Sequence, residues 1–363
     1  MISVSIEAKS DSARAAAAVS RDIVFGTQFA DLMLTAVHDE GVGWHDAKIG
    51  PFENFSLSPA AKVLHYGVEI FEGHKAYRLP SGEVALFRPE MNVRRLNRSA
   101  GRMCLPPLPE TFQIEALDIF VDAIRDWVPS APQSSLYLRP ALIGIESALG
   151  VKPSRRHLYF VIASPAASYF HGTSSAISVR VETDDVRAAV GGTGFAKAGG
   201  NYGGGMAAKK RTLDAGYDEV LWLDAGHRRY IEELGAMNAF VVRDGTVVTP
   251  PVSSTILDGI TRNSLLALAA HLGIPCVEEP LDIESVLADL KSGRITEFAA
   301  VGTAAVVTPI QRLGYKGKDY SIGDGAFGPI LGRLYTALTD LQTGRSPDPF
   351  GWMRVVSKGR GVP

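Results

Sequence analysis

The sequence predicts two α+β domains. Strand-like and helix-like runs are mixed with a hairpin rather than alternating as repeated βαβ units. The 363 residues exceed what one hydrophobic core usually serves. A small, polar, glycine-containing run, SYFHGTSS, interrupts the chain near its middle with the composition of a linker. The boundaries read as an N-terminal arm over 1–25, a smaller α+β domain over 26–167, an interdomain loop over 168–177 and a larger domain over 178–363.

Each element has its own signal. The arm is polar, and its apolar run from Ala15 to Val19 is too short for a signal h-region or a membrane span. Val84 to Phe87 reads as a strand, after which Pro89 opens a helix through Arg102. Ile114, Leu117, Phe120, Val121, Ile124 and Val128 recur at helical spacing until Pro129 stops them. SLYLRP and RHLYFVIASP read as strands, as do AISVRVE and EVLWLD beyond the linker. AFVV and TVVTP flank Arg243-Asp244-Gly245, a hairpin signal. Helices follow over Thr261–Leu272, closed by Gly273, and over Asp282–Leu290, closed near Gly293. No repeat of 20 to 50 residues recurs, which excludes a solenoid.

Composition narrows the function. A formal net charge of -2 without a long basic block leaves no electrostatic footprint for nucleic acid or an anionic membrane. Cys104 and Cys276 lie far apart and outside any C-x-x-C spacing, so neither a disulfide framework nor a metal site is expected. A reducing cytoplasm is the expected compartment.

The chemistry concentrates in GGTGFAKAGGNYGGG, residues 191–205, where eight of fifteen residues are glycine. Glycine costs backbone entropy but admits positive φ and close approach of a ligand. Lys197 has no Walker context, and the glycines do not follow a strand as G-x-G-x-x-G, so a nucleotide fits poorly. A solvated loop lysine remains one reading. The other is a covalently used amine that forms a Schiff base with an aldehyde such as pyridoxal phosphate. That cofactor demands helix amides and a cation for its phosphate, a carboxylate for its ring nitrogen and a donor for its phenolate oxygen.

GGTGFAKAGGNYGG, WLDAGHRRYIEELGAMN, LDGITRNSLLALA and GTAAVVTPI, preceded by PAAKVLHYGVEIFEGHKAYR, LFRPEMNVRRLNRSAGRM and YLRPALIGIESALGV, occur in one order over about residues 27–345. The chain resembles the branched-chain amino acid aminotransferases, two-domain α+β enzymes of fold type IV that use pyridoxal 5'-phosphate. The resemblance implies that Lys197 is the Schiff-base lysine and Glu233 the acid at the ring nitrogen. Glu233 is preferred to Glu232 because the family's acid directly precedes a residue-Gly pair, here Leu234-Gly235. It implies Tyr202 at the phenolate oxygen, and Arg95, the amides of Ile260 and Thr261, and Thr303 at the phosphate. On the substrate side it points to Tyr66, Phe71, Tyr137, Arg139, Tyr169 and the Ala304-Ala305 turn. Read without the family, Glu232-Glu233 and the arginines around Arg95 are equally solvated charges, and the tyrosines packed core.

Three positions depart from the family pattern: His74 replaces a usual apolar residue, His171 lies in the linker, and three glycines follow Tyr202. The expected activity is transfer of an amino group between leucine, isoleucine or valine and 2-oxoglutarate, with glutamate and the branched 2-oxo acids as the other partners, in a homodimer. Competing readings are a D-amino-acid transaminase or aminodeoxychorismate lyase on the same fold, and a non-catalytic small-molecule binding protein.

Overall fold

The structure, a computed structural model, describes residues 2–19, 23–167 and 176–359. The chain forms two compact units: Met1–Tyr169 with Ala196–Gly199 and Asp340–Pro363, and Phe170–Phe195 with Gly200–Thr339. The first unit therefore takes two segments that the sequence reading placed in the second domain. The reasons are local. Ala198 is 2% exposed within the first unit's apolar core, and Met353–Val355 pairs with the strand Val84–Phe87. The interdomain loop expected over 168–177, with Tyr169 and His171, lies outside the described residues except for its last two positions.

In the first unit the strands are β1 (Ser5–Ile6), β2 (Leu32–Asp39), β3 (Gly43–Pro51), β4 (Glu69–Phe71), β5 (His74–Arg78), β6 (Val84–Phe87), β7 (Ser135–Gly144) and β8 (Arg156–Ala166). They run in the order β1-β3-β2-β8-β7-β5-β6 and then Met353–Val355, with β4 also on β7. Leu136, Leu138 and Leu142 on one face of β7 are fully buried, and Tyr137, Ala141 and Ile143 on the other are buried as well, so the strand is covered on both sides. The helices are α1 (Ser12–Val19), α2 (Lys62–Tyr66), α3 (Pro89–Arg102) and α4 (Glu110–Ala123). Proline opens α3, and its Val93, Leu96 and Ala100 enter the core with Phe112, Ala116, Leu117 and Phe120 of α4. The helix expected up to Pro129 ends earlier, giving way to a 3-10 turn over Arg125–Trp127.

The arm is part of this unit rather than a loose tail. β1 pairs parallel with β3, Ala15 is fully buried, and Asp31 accepts from Ser10 Oγ, the Asp11 amide and Trp127 Nε1. One carboxylate thus fixes both the arm and the turn that follows α4.

The second unit carries β9 (Ile177–Val181), β10 (Glu219–Leu223), β11 (Tyr230–Leu234), β12 (Met237–Arg243), β13 (Thr246–Thr249), β14 (Cys276–Glu278), β15 (Leu281–Asp282), β16 (Ile295–Gly302), β17 (Val306–Tyr315) and β18 (Lys318–Ser321). The order is β14-β13-β12-β16-β17-β9-β10-β11-β15, and a further β11–β12 pairing closes the circuit β12-β16-β17-β9-β10-β11. Closure leaves no open edge in that circuit. The β12–β13 hairpin turns on Asp244 (φ 50°) and Gly245 (φ 78°), the two consecutive positive values that its Asp-Gly pair predicts. Around the circuit lie α5 (Gly200–Gly203), α6 (Met206–Asp214), α7 (Ile260–His271) and α8 (Ile283–Ser292). Asp282 caps α8 by accepting from the Ser285 amide, and Gly293 ends it in the left-handed region.

Candidate active site

In the first unit, Lys197 is anchored by its backbone: its N–H donates to Ser99 Oγ at 2.9 Å, and its carbonyl accepts from Phe71 N at 3.0 Å. Its Nζ sits 4.8 Å from the Phe71 ring centroid. The β4–β7 register, Phe71 opposite Ala141, places Phe71, Tyr137 and Arg139 on one face because strand side chains alternate. The Arg139 guanidinium lies 4.7 Å from the Phe71 centroid and 5.3 Å from that of Tyr137, and donates to the Tyr137 hydroxyl at 3.1 Å. Its Nε is buried without a protein acceptor. An amine and a guanidinium thus share one aromatic ring. Gly73 makes room for this face, since a Cβ there would lie 2.1 Å from the Tyr137 hydroxyl oxygen.

Arg95 is only 6% exposed and engages Glu72, which is fully buried. Its Nε reaches Oε1 at 2.7 Å and one terminal nitrogen reaches Oε2 at 2.9 Å, while Asn92 Nδ2 donates to Oε2 at 2.7 Å. Burial pushes the Glu72 carboxyl upward, but the charge and hydrogen bonds of Arg95, aided by Lys197, outweigh it and hold the group at about 2. The expected phosphate cation is therefore already neutralised by a carboxylate. Arg95→Ala should leave Glu72 buried and unpaired, costing about 3–5 kcal/mol of stability beyond any loss of ligand affinity. Denaturant titration of the ligand-free protein checks this.

His74, beside Glu72, is 3% exposed, with Nδ1 buried and without a hydrogen-bond partner. Burial lowers its pKa from the ordinary 6.5 to about 4, against the opposing pull of Glu72. Below 6.5 the unfolded chain binds a proton that the folded chain refuses, so stability falls as pH drops from 6.5 towards 4. His74→Leu should remove about 2 kcal/mol of the loss between about pH 7 and pH 5. Melting curves at the two pH values test it.

Tyr66 stands apart from this face. It is 40% exposed at the end of α2, and its hydroxyl donates to the Leu149 carbonyl.

In the second unit, the β10–β11 and β11–β12 pairings bury both acids of YIEEL: Glu232 is 7% and Glu233 2% exposed. The solvated-pair reading therefore fails. Glu233 Oε1 accepts from the Leu257 amide at 2.6 Å, and Oε2 lies 3.1 Å from Arg187 Nε. Arg187 also donates to the Gly194 and Thr255 carbonyls, tying the glycine-rich segment to the acid. Glu232 accepts instead from Thr255 Oγ1, and its Oε2 is buried without a partner. Burial raises the Glu232 carboxyl, opposed by Thr255 and Arg187.

Asn238, opposite Glu233 in the register, donates to the Leu257 carbonyl at 3.0 Å. The Leu257 backbone is thus held at both its N–H and its carbonyl just before α7. Gly259 precedes that helix without a side-chain cap, and a Cβ there would lie 2.0 Å from Asn238 Oδ1. The first-turn donors at Ile260 and Thr261 are consequently not satisfied by a cap, the arrangement that suits an anion. Thr303, Ala304 and Ala305 form the turn after β16, whose Val301 pairs with Asn238. Val306 closes the turn at φ 59°, a strained value for a β-branched residue. Tyr202 is half-buried in α5. Beside it, Asn201 Nδ2 donates to the Thr193 carbonyl and Oδ1 accepts from Thr193 Oγ1, so two positions of the glycine-rich segment are tied together.

Sequence reasoning missed Glu72, Asn238 and Arg187. The first two sit in quoted motifs, whereas Arg187 lies in an unpatterned polar run and gave no signal. Among the described residues no cluster of His, Cys, Asp or Glu could hold a metal ion.

A model of the amino-transferase class IV family matches residues 69–313. Branched-chain-amino-acid transaminase 1 of Bacillus subtilis (strain 168) is 45% identical over 330 residues, 90% of this chain and 92% of that protein. A T.th. branched-chain amino acid aminotransferase, solved with pyridoxamine 5'-phosphate, superposes with a TM-score of 0.75 at 28% identity, covering 89% of this chain and 98% of that one. The branched-chain amino acid aminotransferase from Escherichia coli gives a TM-score of 0.71 at 28% identity, covering 90% of this chain and 100% of that one.

Proposed function

This chain belongs to the class IV aminotransferases, and from that membership we propose that it is a pyridoxal-phosphate-dependent transaminase moving an amino group between leucine, isoleucine or valine and 2-oxoglutarate. The observation that carries the reading within the first unit is the Phe71 ring shared by the Lys197 amine and the Arg139 guanidinium.

Each unit holds groups of the kinds the cofactor requires: in the second, a buried carboxylate paired with Arg187 and helix amides without a side-chain cap; in the first, a lysine fixed through its own backbone. When bound, pyridoxal 5'-phosphate supplies the electron sink and the temporary carrier of the amino group. Lys197 Nζ anchors it and moves the proton at the substrate Cα. Glu233 keeps a proton on the ring nitrogen. Tyr202 donates to the phenolate oxygen, and the amides of Ile260 and Thr261 with Thr303 and Arg95 hold the phosphate. Glu72 fixes the plane of the Arg95 guanidinium by its two-point contact. Tyr66, Phe71, Tyr137, Tyr169 and the amides at Ala304 and Ala305 shape the substrate side.

Accepting both leucine and glutamate in one site requires a partner for the glutamate side-chain carboxylate, because desolvating it alone costs several kcal/mol. Arg139, with its buried unpartnered Nε, is that partner. Arg139→Met should lose about tenfold more efficiency with glutamate and 2-oxoglutarate than with leucine and its oxo acid. Equal losses would return Arg139 to a structural role.

We place the enzyme in the cytoplasm as a homodimer. Exposed free cysteines at 104 and 276 suit a reducing compartment. Leu64, Leu149 and Val151 are each at least 60% exposed near the Tyr66–Leu149 contact, a surface suited to another copy. No helix among the described residues is long and apolar enough to cross a membrane. A panel assay of amino donors with 2-oxoglutarate, alongside light scattering, tests activity and assembly; turnover of aromatic or D-amino acids in place of the branched ones would overturn the reading.

A further inference from the structure

We propose that Glu69 sets the balance between acidic and apolar substrates by opposing a side-chain carboxylate on the face that carries Phe71, Tyr137 and Arg139. The inference rests on the reading above, in which that face receives the substrate.

Three observations place Glu69 there. β4 pairs Glu69 with Ile143 and Phe71 with Ala141, so Glu69 projects to the same face as Phe71 and Arg139. Its Oε1 occupies the space beside the lysine loop that any side chain at 199 would need: a Cβ on Gly199 would lie 1.4 Å from it. The carboxyl is half-buried, with burial raising its pKa and Arg139 lowering it, so the two charges act on one another across this face. Gly199, two residues beyond Lys197, leaves room for the Glu69 carboxylate in its present position.

The consequence is a competition. A substrate carboxylate approaching Arg139 also meets Glu69, and like charges in a partly desolvated site repel. A leucine side chain carries no charge and meets no such cost. Selectivity often rests on such a repulsive element as much as on an attractive one. Glu69 thus penalises glutamate, glutarate and 2-oxoglutarate relative to the branched ligands.

The test uses the cofactor-loaded protein and two variants, Glu69→Gln, which keeps size and removes charge, and Glu69→Asp, which keeps charge. Calorimetry measures binding of glutarate and of 4-methylpentanoate, and steady-state assays measure glutamate against leucine. For Glu69→Gln the ratio of glutarate to 4-methylpentanoate affinity should rise about tenfold, appearing in turnover as a lower KM for glutamate. Glu69→Asp should stay within about twofold of the wild-type ratio. An unchanged ratio in Glu69→Gln, or equal weakening of both ligands, would overturn the proposal and leave Glu69 a packing partner of Gly199. Binding needs no turnover, so a wild type that binds both acids yet transaminates neither would refute the transaminase reading while the ratio still decides the role of Glu69. A wild type that binds neither acid would overturn both.

Discussion

Lys197→Ala should abolish transamination while leaving the fold intact. The fold depends on the backbone at this position: the Lys197 N–H bonds Ser99 Oγ and its carbonyl bonds Phe71 N, and alanine retains both. Packing depends on the neighbours, since Ala196 and Ala198 on either side are buried. The side chain instead ends over Phe71. Removing a positioned proton-transfer group alone costs roughly 10²–10⁴-fold, and the variant also loses the proposed covalent anchor, so turnover should fall below detection in a steady-state assay. Circular dichroism and melting temperature should match wild type. Borohydride treatment of the cofactor-loaded wild type, followed by peptide mapping, should place the cofactor's mass on Lys197 and on no other lysine. Undiminished turnover in Lys197→Ala would remove the lysine from the mechanism.

Much of this arrangement was legible because local chemistry and tertiary role agree. EVLWL reads as a buried strand and is one, with all five residues buried. Asp244-Gly245 reads as a tight hairpin turn because such a pair tolerates two consecutive positive φ values, and α8 ends at Gly293 for a related reason. The glycine-rich stretch was legible as a place of close approach. Gly194 meets Ala188 and Thr255 within 3 Å of a built Cβ, and Gly199 meets Glu69.

What stayed hidden depends on residues distant in sequence. Arg95 and Glu72 are 23 positions apart, and nothing in VRRL says that a buried acid already occupies two of the guanidinium's nitrogens. Arg187 is far from Glu233 along the chain and meets it only once β11 enters the closed circuit. YIEEL defeats pattern reading for another reason. Two adjacent acids look solvated, and they are buried only because Thr255, Leu257 and Arg187 converge from outside the strand. The arm reads only as polar because its order comes from Asp31 and Trp127, which periodicity cannot reveal.

That burial makes the choice between the two acids testable. In the proposed mechanism the electron sink works only while the cofactor's ring nitrogen stays protonated, and Glu233 holds that proton. Glu233→Gln keeps an acceptor for the Leu257 amide but removes the negative charge, so the ring nitrogen becomes largely neutral. A fall in kcat of roughly 100-fold or more, about 3 kcal/mol, is expected. Cofactor retention should change little, because the proposed phosphate contacts lie elsewhere. Loss of the charge also strands Arg187, whose side chain is 5% exposed, so a lower melting temperature should accompany the kinetic defect. Glu232→Gln provides the control. Glu232 takes its hydrogen bond from the Thr255 hydroxyl, and the amide oxygen of glutamine can still accept it. Burial raises the carboxyl's pKa while Thr255 and Arg187 oppose, and because Glu232 holds no proton on the cofactor in the proposed mechanism, removing its charge should cost little turnover. A crippled Glu232→Gln beside a nearly normal Glu233→Gln would move the acid's role one residue towards the N-terminus, onto the carboxylate whose Oε2 has no partner in the protein.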